Sequence, residues 1–367
     1  MPSVRSYLSY YSLYHLLYYC FSILMSGKSL FMHIITTLVF IIPLMIEPIY
    51  KQQSNEIIPS AESAGHWQTL NYNGEPSARH ENAFVEVNGK FYLLGGRGIK
   101  SVDIFDPETR NWTKGTKPPI ELHHFQGVVY DQKIYIIGAM TGKFPNETPV
   151  ENIIIYDPAQ DQWETGVEIP AARRRGSAGV VVKGNKAIVI SGIINGHVGG
   201  HVPWVDQYNF DTREWNTLVD APRARDHFHA AEYQGKIYCA GGRNTDHASA
   251  KVFALTIPEV DVYDINSNRW TTLPQSNDIP TRRAGTAATV LGDELIIMGG
   301  ESGSQSTAHD EVEAYNITSQ SWRSLSNLER GRHGTQAVRY NNKIYIMAGS
   351  GNRGGSPELN SIEMFHF

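Results

Sequence analysis

Short apolar runs and polar turns alternate along most of this chain. Six runs rich in β-branched and aromatic residues each end in two small residues: 91–96, 134–139, 187–192, 237–242, 295–300 and 344–349. Polar turns such as Asn88-Gly89 and Gln234-Gly235 precede them. Runs of this kind bounded by Gly, Asn and Asp predict β-strands joined in hairpins. Paired Gly in a strand usually marks a close backbone approach, so we expect the small residues to lie where strands crowd together.

An aromatic pair follows each of the first five runs. The pairs have the form Phe/Tyr-x6-Trp: Phe105/Trp112, Tyr156/Trp163, Tyr208/Trp215, Tyr263/Trp270 and Tyr315/Trp322. The Trp residues of these pairs lie 51 to 55 positions apart, a period typical of propellers and other repeat proteins. Four strands in each unit and six units predict an all-β, six-bladed propeller.

The sixth aromatic pair is divided between two distant parts of the chain. Phe365 follows the last apolar run but has no Trp after it, whereas Trp67 precedes the first run and has no aromatic partner before it. We therefore expect an N-terminal strand carrying Trp67 to complete the C-terminal blade and close the ring. The propeller would then span residues 67–367.

A Gly-Gly pair, a spaced Tyr and a Trp beyond it resemble the kelch repeat family. The match covers residues 67–367 in six units, and this resemblance implies a six-bladed kelch β-propeller. The departures are conservative: Ala139, Ser191 and Ala348 each replace one Gly of a pair, and Phe105 and Phe365 replace Tyr.

Residues 1–50 differ in character from the rest of the chain. The stretch 31–46 is almost unbroken apolar sequence between Lys28 and Glu47, with a length between that of a signal-peptide core and that of a membrane-spanning helix. We expect 1–50 to be a signal peptide or an N-terminal anchor and 51–66 to be a polar tether. The protein would then be exported: secreted, periplasmic or anchored to a membrane through this segment alone. The alternative is a later start, for example at Met25, followed by an apolar run without a targeting role.

Composition argues against several classes of function. A net charge of −5 argues against nucleic-acid binding, which needs a strongly basic surface. The chain has two cysteines, Cys20 and Cys239, so neither a disulfide framework nor a cysteine-based zinc site is expected. We expect Cys239 to be a small buried hydrophobe on a strand.

Arginine recurs at one position of the repeat. Sixteen residues before the first small residue of each pair, five of the six units carry Arg: Arg79, Arg175, Arg225, Arg283 and Arg332. Arg243 directly follows a Gly-Gly pair. Propeller topology brings these positions to one mouth near the axis, where guanidinium groups suit the capture of carboxylate, sulfate or phosphate. The alternative is a structural role, in which Arg ties neighbouring blades to carbonyls or acids.

Histidine is concentrated at the same predicted strand starts. Six of the 14 His residues fall there: His80, His123, His124, His227, His229 and His333. The Gly-rich segment 193–204 ends in Trp204, which is either a stacking platform for a sugar or a packing residue at the start of the third strand. The predicted ligand-binding residues are Arg79, Arg175, Arg225, His227, His229, Arg243, Arg283, Arg332, His333 and Trp204.

Three functions remain open from the sequence. The first is binding of a small anionic ligand, most readily an acidic carbohydrate, at the Arg/His mouth. The second is a protein-interaction scaffold, a common role of kelch propellers. The third is a sugar-acid epimerase or lyase, in which His227, His80, Glu81 or His123 would move a proton; the chain resembles secreted N-acetylneuraminate epimerases in size and in its export segment. Whether the protein is an enzyme is not decided.

A metal site has weak support in the sequence. His227 and His229, with His123 or His124, could ligate zinc or copper, but their spacing alone is not specific. We therefore predict neither a metal nor another cofactor. A copper-radical site is not expected either, because Cys239 has no evident Tyr partner.

Overall fold

The computed structural model describes residues 63–367. Its N-terminal strand and first two blades comprise β1 (His66–Thr69), β2 (Asn82–Val87), β3 (Lys90–Gly95), β4 (Asp103–Asp106), β5 (Asn111–Lys114), β6 (Gly127–Tyr130), β7 (Lys133–Ile136), β8 (Met140–Thr141), β9 (Thr148–Pro149), β10 (Asn152–Asp157) and β11 (Gln162–Glu168). Blade 1 is the sheet β2-β3-β4-β5, and blade 2 is β6-β7-β10-β11.

The next two blades follow the same plan. Their strands are β12 (Gly179–Lys183), β13 (Lys186–Ile190), β14 (Ile193–Asn195), β15 (Gly199–His201), β16 (Val205–Asn209), β17 (Trp215–Thr217), β18 (Ala230–Tyr233), β19 (Lys236–Cys239), β20 (Asp261–Asp264) and β21 (Arg269–Thr272). Blade 3 is β12-β13-β16-β17 and blade 4 is β18-β19-β20-β21, while β8-β9 and β14-β15 are small inserted hairpins.

The last two blades complete the set of six. Their strands are β22 (Ala287–Leu291), β23 (Glu294–Met298), β24 (Val312–Asn316), β25 (Ser321–Ser324), β26 (Ala337–Tyr340), β27 (Lys343–Met347) and β28 (Ile362–His366). Blade 5 is β22-β23-β24-β25, and blade 6 is β26-β27-β28-β1. Two short 3₁₀ turns, Ala171–Arg173 and Gln275–Asn277, lie in the connections. The prediction of an all-β, six-bladed propeller is confirmed.

The spacing of the aromatic pairs is a hairpin register. Tyr208 lies directly opposite Trp215 across β16 and β17, and the ring centroids are 5.1 Å apart. The other pairs lie opposite each other in the same way, as do Trp67 in β1 and Phe365 in β28. The six intervening residues are therefore the turn and the strand ends that bring the two aromatic residues face to face.

The first strands of the blades surround the axis. Each contacts the first strand of the next blade, in the order β2, β6, β12, β18, β22, β26 and back to β2. The apolar core lies between neighbouring blades. Phe91 packs on Tyr345 of blade 6, with ring centroids 4.9 Å apart, while the adjacent Tyr92 faces Tyr156 of blade 2 at 6.1 Å. Successive residues of one strand thus bury their side chains against different neighbours.

Each blade connects its strands on two opposite faces of the ring. We call the face where first strands begin and second strands end the mouth face, and the opposite one the hairpin face. The hairpin face carries the polar two-residue turns, such as Asn88-Gly89 and Asn341-Asn342. The mouth face carries the longer connections, and so the strand ends with the candidate site residues.

The predicted leader, residues 1–50, lies outside the described residues, as does most of the predicted tether 51–66. The described part of the chain contains no helix long and apolar enough to cross a membrane. The first described strand begins at His66, one residue before the predicted propeller start.

Candidate functional site

Six residues surround the axis at the mouth face, one from each blade, each two positions after the recurrent Arg or Leu122. We call this set the axial belt: Glu81, His124, Ser177, His227, Gly285 and Gly334. From His124 onward, the backbone N–H of each of the five later residues donates to the carbonyl of the residue before it in the belt, and Asn82 N donates to Gly334 O to complete the circuit, at 2.6 to 3.2 Å. The belt therefore binds every blade to the next through backbone alone.

The axial belt needs a left-handed backbone at every position. Its φ angles lie between +52° and +65°. Gly adopts this conformation freely, but Glu81, His124, Ser177 and His227 adopt it at a cost of about 1–2 kcal/mol each. Residues held in such conformations by their surroundings cluster at functional sites, which directs attention to these four side chains.

The recurrent arginines lie beneath the mouth surface. Arg79, Arg175, Arg225, Arg283 and Arg332 are at most 2% exposed. Each forms an ion pair with an acid on the third strand of its own blade: Asp103, Asp206, Asp261, Glu313 and Glu363 respectively. Each also donates to the carbonyl of the small residue 16 positions later. Buried charges need such pairing, so these side chains hold the blade together.

The expected anion clamp is therefore not formed by these five arginines. Their charge is neutralised inside each blade, and their donors are already used. Arg243 is likewise buried and paired with Glu301, and its Nε donates to Thr245 Oγ1 at 2.8 Å. These contacts fit the structural alternative, with one difference: the five recurrent arginines pair with acids of their own blade, and Arg243 of blade 4 pairs with Glu301 of blade 5.

The sequence of the repeat indicates this pairing of Arg with an acid. The acid lies two positions before the Phe or Tyr of the aromatic pair in five units, and those are the five units with Arg. Blade 2 has Leu122 and Ile154 at the two positions, and both are buried in one apolar cluster. The joint replacement of Arg and acid by two aliphatic residues indicates a buried contact.

Trp204 does not offer a free aromatic platform. The guanidinium of Arg173 lies over its ring, 4.5 Å from the centroid, and Arg175 lies 5.9 Å away. Its backbone carbonyl accepts hydrogen bonds from Ser191 N and Arg175 Nη2. The packing alternative describes this residue better than the sugar-stacking one.

Three predicted site histidines have different surroundings near the axis. His80 Nδ1 lies 2.8 Å from Glu358 Oε1. His333 Nε2 lies 2.8 Å from Gly354 O. His229 lies beside the central cavity, where burial lowers its pKa to about 4.

Three other imidazoles meet at the mouth. His124 starts blade 2, His227 starts blade 4, and His197 lies in the inserted hairpin of blade 3. One ring nitrogen of each lies within 4.8 Å of one in each of the others, and the ring centroids are 4.9 to 5.1 Å apart. All three are buried. We call them the histidine cluster.

A small central cavity of about 20 Å³ adjoins the histidine cluster. Glu81, His124, His227 and His229 contribute to its lining. A cavity of this size holds about one water molecule. Burial tends to raise the pKa of Glu81, but the neighbouring His227, His333 and His80 outweigh it and lower that pKa. Glu81 is therefore a carboxylate at neutral pH.

Comparison with known proteins identifies the family to which this repeat belongs. The profile of the Attractin/LZTR1 β-propeller family matches residues 49–307 and 128–354. The chain belongs to this kelch-type β-propeller family. The kelch resemblance of the repeat is thereby confirmed.

Relatives of this kelch propeller differ in length. Kelch-like protein terF of Aspergillus terreus is 28% identical over 317 residues, which are 80% of this chain and 67% of that protein. Kelch-like protein 25 of Xenopus tropicalis is 25% identical over 297 residues, or 77% of this chain, but the chain spans only 45% of that relative. The solved structure of YjhT superposes with a TM-score of 0.66, covering 80% of this chain and 96% of that one. At 15% identity that likeness shows the fold alone.

Two residues of the kelch propeller's mouth were missed by sequence reasoning. His197 lies in the Gly-rich segment 193–204, which drew attention only for Trp204. Glu147 lies in the blade 2 insertion and accepts hydrogen bonds from the imidazole and backbone N–H of His197. Neither position recurs in the repeat, so alignment of the six units could not find them.

Proposed function

We propose that this kelch propeller is a protein-interaction scaffold whose partner docks on the mouth face. The proposal rests on the location of the exposed apolar side chains. Among residues 63–367, all six large hydrophobic side chains that are exposed lie in mouth-face connections: Ile99, Ile120, Phe144, Val198, Val219 and Leu255. They are 36% to 51% exposed.

The two faces of the ring differ in what they offer to a partner. Burial of apolar surface contributes roughly 25 cal/mol for each Å² removed from water, and exposed apolar groups gathered on one face mark interaction sites. The hairpin face presents short polar turns instead, such as Asp131-Gln132 and Asn341-Asn342, which are exposed. A partner that presents aliphatic or aromatic side chains is therefore favoured on the mouth face.

The mouth-face loops also support one another. His197 N donates to Pro145 O, His247 N to His197 O, and Gly303 N to Phe253 O. Arg353 N continues the series by donating to Ser306 O. Loops ordered in this way lose less conformational entropy on binding than free loops would. Membership of the kelch-type β-propeller family, whose repeat is commonly used as a docking surface, supports the same proposal.

Paired variants can test this docking face. Ile99→Ser with Ile120→Ser changes two connections that Glu121 joins through its bond to Gly98 N. The matched control, Gln132→Ser with Asn342→Ser, changes two exposed turns of the hairpin face. Proteins retained by each form would be identified from cells of the source organism, and binding would be repeated with purified components by calorimetry.

The proposal expects a partner that binds the wild type and the hairpin-face control equally. The Ile99/Ile120 variant should bind it at least tenfold more weakly, because two anchoring side chains are lost. Equal retention of every partner by both double variants would contradict docking on the mouth face. Both variants should keep the wild-type melting temperature, which separates a loss of binding from a loss of folding.

An acidic carbohydrate ligand now has less support than a protein partner. The arginines expected to hold its carboxylate are buried in ion pairs, and the central cavity of about 20 Å³ is too small for a monosaccharide. A sugar would have to bind above the cavity, among the mouth-face loops. The same reasoning applies to the epimerase or lyase hypothesis, since it needs the same ligand. A saturable rise in melting temperature with a uronic, sialic or sulfated sugar would restore this function.

Export remains a prediction from residues 1–50. Fractionation of cells that express the full chain would test it. Recovery outside the cytoplasm, abolished by deletion of 1–50, is the expected result.

A further inference from the structure

We propose that His124, His197 and His227 form a binding site for a divalent transition-metal ion at the mouth of the propeller. The three rings come from three successive blades and meet in a buried position beside the axis. Two of them, His124 and His227, are fixed by the axial belt, while the third is brought in by an inserted hairpin. The proposal rests on which ring nitrogens remain free to ligate.

His227 has one ring nitrogen held and one free. Its Nδ1 lies against Asp226 Oδ1, and Asp226 also accepts hydrogen bonds from Thr245 N and Thr245 Oγ1 at 2.9 and 2.6 Å. A carboxylate can only accept, so Nδ1 carries the proton. The lone pair is then on Nε2, which is buried and has no hydrogen-bond partner among the described residues.

His197 has the same arrangement with a different carboxylate. Its Nδ1 lies 3.0 Å from Glu147 Oε1, and its backbone N–H donates to Glu147 Oε2 at 3.2 Å. Arg97 also pairs with Glu147, which keeps that carboxylate charged. Nδ1 of His197 is therefore the donor, and its Nε2 carries the lone pair.

His124 reaches the same tautomer through a second imidazole. His123 Nε2 lies 3.0 Å from Gly142 O, so it donates to that carbonyl. With the proton of the neutral His123 ring on Nε2, its Nδ1 is an acceptor. His124 Nδ1 lies 2.6 Å from that atom and donates to it. The lone pair of His124 is thus on Nε2.

The three imidazoles meet in a buried place, and each offers one lone pair that needs a cation or a hydrogen-bond donor. Buried polar atoms without partners destabilise the fold, and one water molecule can donate only two hydrogen bonds. A metal ion satisfies all three lone pairs at once.

The ligand set indicates the class of metal. Imidazole suits zinc, copper and nickel, whereas calcium and magnesium prefer oxygen. Ligating histidines usually donate their other N–H to a carboxylate or similar group, as His227 and His197 do. The Zn–N distance is about 2.0–2.1 Å. Each nitrogen would therefore need to move roughly 1 Å towards the ion. Glu81 Oε2, 3.6 Å from His124 Nε2, lies where it can bind the ion or an attached water molecule.

Metal titration of the purified full chain, without a polyhistidine tag, tests the proposal. After treatment with a chelator, the protein would be titrated with Zn²⁺ and Co²⁺ separately, by calorimetry and by visible absorption. We expect one equivalent of Zn²⁺ to bind, and Co²⁺ to give the absorption of a site with nitrogen ligands. His197→Ala should weaken Zn²⁺ binding at least 100-fold, because it removes a ligand without disturbing the axial belt.

A second variant and a control complete the experiment. Glu147→Gln leaves the ligands in place but removes the carboxylate that orients His197, and such changes typically cost 10–100-fold in metal affinity. His247→Ala removes an exposed imidazole of a neighbouring loop and should leave affinity unchanged. Less than one tenth of an equivalent bound to the wild type, or equal affinity of wild type and His197→Ala, would overturn the proposal. If His197→Ala fails to fold, an unchanged affinity of Glu147→Gln overturns it equally.

Discussion

Trp67 lies directly opposite Phe365 across β1 and β28, and their ring centroids are 5.2 Å apart. The indole is 5% exposed, and its N–H donates to Ser326 O at 3.0 Å. Trp67→Ala should therefore destabilise the propeller by about 3–5 kcal/mol, the usual cost of truncating a buried aromatic residue. Denaturant unfolding followed by tryptophan fluorescence and circular dichroism measures this change.

The matched control for that experiment is Trp215→Ala in blade 3. Trp215 has the same register with Tyr208, but it is only half-buried and its indole N–H has no partner among the described residues. Trp67→Ala should lower the free energy of unfolding at least as much as Trp215→Ala does. A cost below about 0.5 kcal/mol would contradict the view that β1 closes the ring.

Much of the fold could be predicted because each repeat encodes its own strand pairing. The Phe/Tyr-x6-Trp spacing is a hairpin register, and the small residues mark where one blade meets the next. Gly242 N, for example, donates to Arg283 O of the following blade at 3.0 Å. The hairpins β8-β9 and β14-β15 were not predicted, since they occur in one blade each and break the repeat.

Arg225 and Asp261 should contribute to stability as a unit. The pair is buried, and the Arg225 guanidinium also donates to Gly241 O at 2.8 Å. Arg225→Ala removes the buried partner of Asp261 and leaves that carboxylate only the partly exposed Arg223, 2.9 Å away, so we expect a loss of about 3 kcal/mol, the lower end for a broken buried pair. The double variant Arg225→Met with Asp261→Leu should recover part of that loss, because no buried charge remains. Urea unfolding midpoints compare the two.

Arg339→Lys is the control for this pair, because Arg339 is exposed on β26. Its effect should stay within about 0.5 kcal/mol. If Arg225→Ala were equally mild, the ion pairs would not hold the blades together, and the arginines would again be candidates for a ligand.

The candidate site was less predictable than the fold, for a physical reason. The repeat predicts that Arg225 lies at a strand start near the axis, but its side-chain direction depends on Asp261, a partner two strands away. The position of His197 depends on contact between two insertions, through its N–H bond to Pro145 O at 3.0 Å. Contacts between segments that do not recur leave no periodic trace in one sequence.

Gly299→Ala should be more harmful than another left-handed Gly in the same blade. A Cβ at Gly299 would lie 2.2 Å from Arg332 O in the next blade, whereas a Cβ at Gly292 would meet nothing within 4 Å. Their φ angles are +63° and +64°, so backbone strain is equal. We expect Gly292→Ala to lower the free energy of unfolding by about 1 kcal/mol. Gly299→Ala should lower it by roughly 1–3 kcal/mol more because of overpacking.

The difference in stability between these two Ala variants measures the cost of crowding where blade 5 packs closely against blade 6. Ala348 occupies the corresponding position in blade 6, so an Ala there is compatible with another blade interface. Equal melting temperatures for the two variants would show that blade 5 can move away from blade 6 without cost.

Cys239 should be inert in the folded protein. It is 1% exposed on β19, and burial raises the pKa of its thiol to about 12. The thiolate is the reactive form, so at pH 8 a Cys20→Ser variant should not react with a disulfide reagent such as Ellman's until it unfolds. The labelling rate should then follow the opening of blade 4, rising with urea in parallel with the loss of β-sheet signal. Stoichiometric labelling of the native variant within minutes would contradict the buried position of Cys239.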